Sequence, residues 1–179
     1  MPKSLRATVT LALCLISAGG TARAQPAAEA ARATFLPKFA RYVAWPSARQ
    51  LAAGAPFQLC VIGRDPFGRT LDAAAAAEQI DGHGVAVRRL PDERGAEACH
   101  LAFVQGRLPA DTGRLLLALG DQPILTITDA RAGPQRGMIH LTSVSGRMRF
   151  FINEAEAARR GLSISSRLLA LAAGVTQRR

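Results

Sequence analysis

The run Gly63-x-x-x-x-Gly68-Arg69-Thr70 has the spacing of a phosphate-binding loop. It follows an apolar segment and opens an alanine-rich one, the strand-to-helix context in which backbone N–H groups cradle phosphate. Two residue choices argue against that chemistry. Arginine stands where the loop needs lysine, and Pro66-Phe67 stiffens and crowds the cradle. The run is therefore read as a tight βα turn. His83, His100 and His140 are scattered, and no pair has metal-site spacing. Hydrogen-bonded structural roles are expected for all three. Ser143, Ser145, Ser163, Ser165 and Ser166 lie outside any G-x-S-x-G elbow. One of the last three is expected to cap a helix. Asp65, Asp72, Asp81 and Asp129 make no close carboxylate pair in sequence. No catalytic residue, metal or cofactor is assigned, and a non-enzymatic protein is expected.

Cys60 and Cys99 carry the remaining chemistry. Two readings of the pair are open. An even pair in an oxidising compartment forms a disulfide. The other reading is a reactive dithiol, although the C-x-x-C spacing that usually serves it is absent.

The compartment follows from the first residues. Lys3 and Arg6 precede an apolar run over 9–16, and Ala22-Arg23-Ala24 is an A-x-A cleavage site. A signal peptide is expected over 1–24, with cleavage between Ala24 and Gln25 and export to the periplasm. Cys14 does not make a lipobox, because bulky Leu13 precedes it. The apolar run is too short for a permanent bilayer anchor. Removing the leader takes away Lys3, Arg6 and Arg23, leaving 20 basic against 13 acidic side chains, a net charge of +7. Outside the cytoplasm such a surface suits an acidic protein partner or an anionic membrane face and not nucleic acid.

Residues 25–179 are expected to form one domain. Residues 30–43 read as a helix with Phe35, Phe39 and Tyr42 or Val43 at helical spacing. Pro37 is expected to kink or restart it, and Trp45-Pro46 to end it. Strands are expected over 57–62, 85–90, 100–104 and 123–128, with helices over 69–78 and 111–119. This alternation implies right-handed βαβ crossovers. Residues 137–172 then read as strand, Ser145-Gly146 turn, strand, helix capped by Asn153 and Glu156, a stop at Gly161, and a last helix. The fold class is α/β: one three-layer, Rossmann-like domain. Its mixed, mostly parallel sheet has about six strands and ends in an antiparallel hairpin.

Phe35, Phe39, Tyr42 and Trp45 form an aromatic stripe in a chain with 5% aromatics. Core packing explains it, and so does a partly exposed docking surface with Trp45 at its exit. Arg147 and Arg149 alternate outward on the second hairpin strand. Trp45, Arg147 and Arg149 are taken as the partner-contact residues.

Several runs occur together. They are F-x-x-x-F-x-x-x-x-x-W-P from Phe35, P-F-x-L-C-V-I-G-x-D-P-F-G from Pro56, and H-L-A-F-V after Cys99. G-M-I at Gly137, R-F-F-I-N at Arg149 and A-x-x-x-G-L-x-I-S-S-R-L-L from Ala157 complete the set. Their order and spacing resemble the YfiR family of small periplasmic proteins over essentially the whole mature chain. The resemblance implies a non-enzymatic repressor of a membrane-bound diguanylate cyclase, acting on the cyclase's periplasmic region. It also implies an outer-membrane lipoprotein antagonist, a homodimer, and a disulfide at positions like Cys60 and Cys99. A second cysteine pair typical of YfiR is missing here. The expected function is thus a periplasmic adaptor for an inner-membrane sensor protein, most concretely a GGDEF-type diguanylate cyclase. The rival expectation is a small-ligand receptor with a pocket near Gly63 and Gly68. A hydrolase would require Ser, His and Asp to converge in space.

Overall fold

The computed structural model describes residues 24–177, with side chains from residue 27. The expected leader lies outside the described residues except for Ala24, and Ala24 and Gln25 are described by backbone only. Among the described residues, no helix is long and apolar enough to cross a membrane.

The chain opens with α1 (Ala24–Ala40), then β1 (Val43–Ala44), β2 (Phe57–Gly63), α2 (Arg69–Ala76), β3 (Gln79–Ile80) and β4 (His83–Leu90). It continues with β5 (Leu101–Gln105), α3 (Pro109–Ala118), β6 (Leu125–Asp129), β7 (Ile139–Val144) and β8 (Arg147–Asn153). It ends with α4 (Glu154–Arg159), β9 (Ser163–Ile164), α5 (Ser166–Leu171) and β10 (Gly174–Thr176). Eight strands form one sheet in the order β10-β8-β7-β6-β5-β2-β4-β3, while β1 and β9 pair separately. The central pairs are parallel, and β7–β8 and β3–β4 are antiparallel. The expected α/β class holds, with two strands beyond the six read from sequence. Both are very short. β3 forms a hairpin with β4 through Asp81-Gly82, both at positive φ, the type I′ geometry that favours Asp-Gly.

β5 and β6 are buried on both faces, which is why they read as nearly unbroken apolar runs. The larger core layer joins Leu36 and Phe39 of α1, Leu71 of α2 and Leu168 of α5 to sheet residues such as Leu59, Phe103, Ile127 and Leu141. The smaller layer packs α3 through Leu115 and Leu116 against Cys60, Ile62, Ala102 and Val104.

α1 runs through Pro37 as a single helix but stops at Ala40, so Tyr42 lies in a turn and Val43 in a strand. Its buried residues are Ala33, Leu36, Phe39 and Ala40. Phe35 is not in the core as the aromatic spacing suggested. It sits about 100° around the helix from Leu36, is exposed, and carries the Lys38 ammonium over its ring at 5.6 Å.

Asn153 caps α4, its side chain accepting from the Glu156 N–H at 3.0 Å. The reciprocal half of the expected capping box does not form. The Asn153 N–H already donates to Met138 O, and the Glu156 carboxylate is taken by Arg159 and Arg160. Ser165 is the serine that caps α5, accepting from Arg167 N–H.

Gly63 ends β2 at φ +87, where a Cβ would overlap the Gln105 carbonyl oxygen. That oxygen accepts the Arg64 N–H at 2.7 Å, so the backbone cannot retreat freely. Gly63→Ala is expected to cost about 2–3 kcal/mol from left-handed strain and backbone crowding, read as a lower chemical-denaturation midpoint. An unchanged midpoint would show that the β2–β5 junction adjusts.

Candidate functional site

Two places bring the sequence-predicted contact residues into view, and they lie apart in the fold. The first is the open end of the sheet. Phe150 and Ile152 of β8 turn toward the larger core, with Phe150 edge-on to Phe39 at 5.3 Å. Arg147, Arg149 and Phe151 alternate to the opposite face and are exposed. α3 packs beneath β2, β5 and the loop before β6, so this outer face of β8 is left uncovered. Val144 and Phe151 are 56% and 46% exposed, unusually open for apolar strand residues beside two arginines. Neither Arg147 nor Arg149 forms an ion pair among the described residues. The hairpin is closed by Ser145 at φ 50 and Gly146 at φ 74, the left-handed pair a two-residue turn needs. β10, a three-residue edge strand, completes this end and packs Gly174 beneath the Phe151 ring.

The second place is a cavity of about 340 Å³ at the amino ends of β2, β4 and β5. Trp45 is half-buried there. Its indole stands edge-on to Phe57 at 5.2 Å, and its Nε1–H donates to His100 O at 3.1 Å. The stripe therefore divides: Phe39 is core, Phe35 is exposed, and Trp45 lines a pocket. Arg49 enters the same cavity from the loop after β1. Its guanidinium donates to the carbonyls of Glu97 and Cys99, its Nε is buried without a partner, and no carboxylate pairs with it among the described residues. Burial pushes the Arg49 pKa down.

His100 lies against Phe57, with ring centroids 4.9 Å apart, and its Nδ1 accepts the Gln58 N–H at 3.1 Å. Burial first, and the Arg49 charge second, push its pKa down to about 4, so the ring is neutral with its proton on Nε2. His83 bonds through Nδ1 to Ala55 O at 2.7 Å. No residue lining this cavity is a serine, cysteine or threonine, and it holds no carboxylate pair. It offers aromatic walls and a guanidinium without a carboxylate partner among the described residues, groups suited to recognition. Arg49 carried no sequence signal, because only the tertiary fold brings a loop arginine beneath Cys99.

Cys60 and Cys99 are bonded as a disulfide with Cα atoms 5.8 Å apart, joining β2 to the segment that leads into β5. Both are fully buried. Of the two readings of the pair, the structure forms the disulfide. Arg49 grips the Cys99 carbonyl, so the disulfide segment is also one wall support of the Trp45 cavity.

The Gly63–Gly68 loop binds its own anion. Asp65 accepts from the N–H groups of Phe67 and Gly68 at 2.7 and 3.2 Å, and its other oxygen takes Arg89 at 2.7 Å. Burial pushes the Asp65 carboxyl up, but Arg89 and these backbone donors outweigh it and hold the group below its usual range. A carboxylate of the chain thus occupies the place a phosphate would take.

His140 lies on β7 directly opposite Phe151 of the β8 face, but its ring is buried. The Thr128 hydroxyl accepts the Gly137 N–H and is hydrogen-bonded to His140 Nδ1, each at 2.9 Å. Burial, with Arg136 adding to it, pushes the His140 pKa down to about 4. Among the described residues no serine hydroxyl bonds to a histidine, and no group of three His, Cys, Asp or Glu is placed to hold a metal. His100 and His140 are neutral when folded and protonate near pH 6.5 when unfolded, so the unfolded chain binds more protons below that pH. Stability is expected to fall as pH drops from about 6.5 toward 4. His140→Gln is expected to remove part of that slope in melts from pH 7 to 4.5. An unaltered slope would assign the pH dependence elsewhere.

A model of the YfiR/HmsC-like family matches residues 29–173. No curated protein matches the chain.

Proposed function

Because the chain belongs to the YfiR/HmsC-like family, we propose that it is a periplasmic adaptor that represses an inner-membrane diguanylate cyclase. It binds the cyclase's periplasmic sensor region. The observation that carries the contact is the uncovered outer face of β8, where Arg147 and Arg149 flank exposed apolar side chains. Two unneutralised guanidiniums beside Phe151 suit an acidic segment that also buries an aromatic or aliphatic side chain. The Trp45 region is the second contact in this reading. Its half-buried indole offers a rigid wall and not a free anchor.

The mechanism is conformational. The adaptor binds the sensor more tightly in its inactive arrangement, and that difference in affinity sets how far the cyclase shifts off. Release raises cyclic-di-GMP. The expected leader delivers the chain to the periplasm, and family resemblance carries the homodimer and the outer-membrane lipoprotein antagonist. No step requires a cofactor or a catalyst.

Deleting the gene is expected to raise cellular cyclic-di-GMP, and restoring the wild-type chain to lower it again. Unchanged cyclic-di-GMP in the deletion strain, under conditions in which the protein is expressed, would overturn this reading.

A further inference from the structure

The sheet has a second feature independent of partner docking. The chain leaves β2 through α2 to reach β4 on one side, then crosses to β5 on the other side of β2. α2 packs into the larger core layer and α3 into the smaller, so the two helices cover opposite faces of the sheet. The carboxyl ends of β2 and β5 therefore form a topological switch point, the place where open α/β sheets leave a crevice for ligands. A cavity of about 910 Å³ lies there, bounded by Gly63 and Arg64 at the end of β2 and by Gly106 and Arg107 after β5. That volume suits a small organic molecule.

The lining is divided chemically. Leu115 and Ala118 of α3, with Pro91 opposite, supply an apolar wall. Arg64, Arg107 and Arg114 supply three guanidiniums. Of the two acids, Asp111 is already engaged: one oxygen accepts the Leu108 N–H at 2.9 Å and the other takes Arg114. Arg64 and Arg107 pair with no carboxylate among the described residues. The second acid, Glu93, lies in the loop after β4 and is half-buried. It would repel an anion placed beside it, but it can accept from a hydroxyl.

We propose that this crevice binds a small phosphorylated organic molecule. Arg64 and Arg107 take the phosphate through their planar donor forks. Leu115, Ala118 and Pro91 cover the apolar part, and Glu93 accepts from a hydroxyl on the sugar or polyol portion. This site lies at the opposite end of the sheet from the Trp45 cavity; it shares Gly63 and Arg64 with the Gly63–Gly68 turn, whose Phe67 and Gly68 N–H donors Asp65 already fills.

The test uses the mature chain with two probes, adenosine monophosphate and inorganic phosphate. On this proposal adenosine monophosphate shifts the amide resonances of Gly106, Arg107 and Leu115, and inorganic phosphate displaces it from them. Arg64→Ser combined with Arg107→Ser weakens its binding roughly tenfold or more, the loss expected for charge-assisted phosphate contacts. Both arginines are exposed, so the variant's thermal midpoint stays with the wild type. No shift at these amides in the wild-type chain at millimolar adenosine monophosphate overturns the proposal. Binding that is equally tight in the folded double variant also overturns it. Shifts caused by inorganic phosphate alone, with none from the nucleotide, indicate a bare anion contact and overturn it as well.

Discussion

Replacing Cys60 and Cys99 together by alanine is expected to lower stability by about 4 kcal/mol, the chain-entropy value for a disulfide closing a loop of this length. The two cysteines are 39 positions apart. Closing that loop excludes many conformations of the unfolded chain, and the double variant restores them. At roughly 2–4 °C per kcal/mol for a domain of this size, the thermal midpoint drops by about 10–15 °C. The effect is local as well as global. Arg49 donates to the Cys99 carbonyl, so loosening that segment frees the guanidinium and one wall of the Trp45 cavity. Trp45 fluorescence is therefore expected to shift to the red in the folded double variant. Reductant acts slowly on the native protein, because both sulfurs are fully buried. A midpoint unchanged in the double variant would show that the bridge contributes nothing beyond packing.

Arg147→Glu combined with Arg149→Glu is expected to weaken membrane-partner binding by roughly a hundredfold while leaving the fold intact, as for reversal of two complementary interface charges. The fold is spared because both side chains are exposed and make no ion pair with a described residue. The inward partners of the same strand, Phe150 and Ile152, are untouched. Wild-type binding is expected to weaken as ionic strength rises, since surface charges are screened over about 10 Å at 0.1 M salt. Binding by the double variant loses most of that salt dependence. Phe151→Ser tests the apolar part of the same face and reduces binding without altering its salt dependence.

Much of this arrangement was legible in the residues. The C-terminal stretch carried redundant local signals: alternation, a Ser-Gly turn, an Asn cap and a Gly stop. The structure uses all of them. The half of the capping box that failed did so through a ladder bond from Asn153 to Met138, which no local pattern records. β3 and β10 escaped because two or three residues cannot display a period. Phe35 misled because aromatic spacing matched a helical face while Leu36, one position on, set the buried one. The Trp45 cavity could not be read at all. It gathers Arg49, Phe57, His83 and His100 from four separate segments, and it lies at the amino ends of the strands. A cavity does open beside Gly63 at the strand carboxyl ends, where βα alternation alone implies a crevice. Asp111 takes the Leu108 N–H and Arg114 within its own helix end, so Arg64 and Arg107 are the arginines lining that cavity without a carboxylate partner among the described residues.

The most direct test of the regulatory reading is capture from native inner membranes, using the mature chain as bait and mass spectrometry to identify what is retained. The account predicts that the wild type retains a GGDEF-containing membrane protein and that the Arg147→Glu/Arg149→Glu variant does not. Equal retention by the folded variant would contradict the assigned face. Absence of any cyclase from the wild-type capture would contradict the repressor role itself.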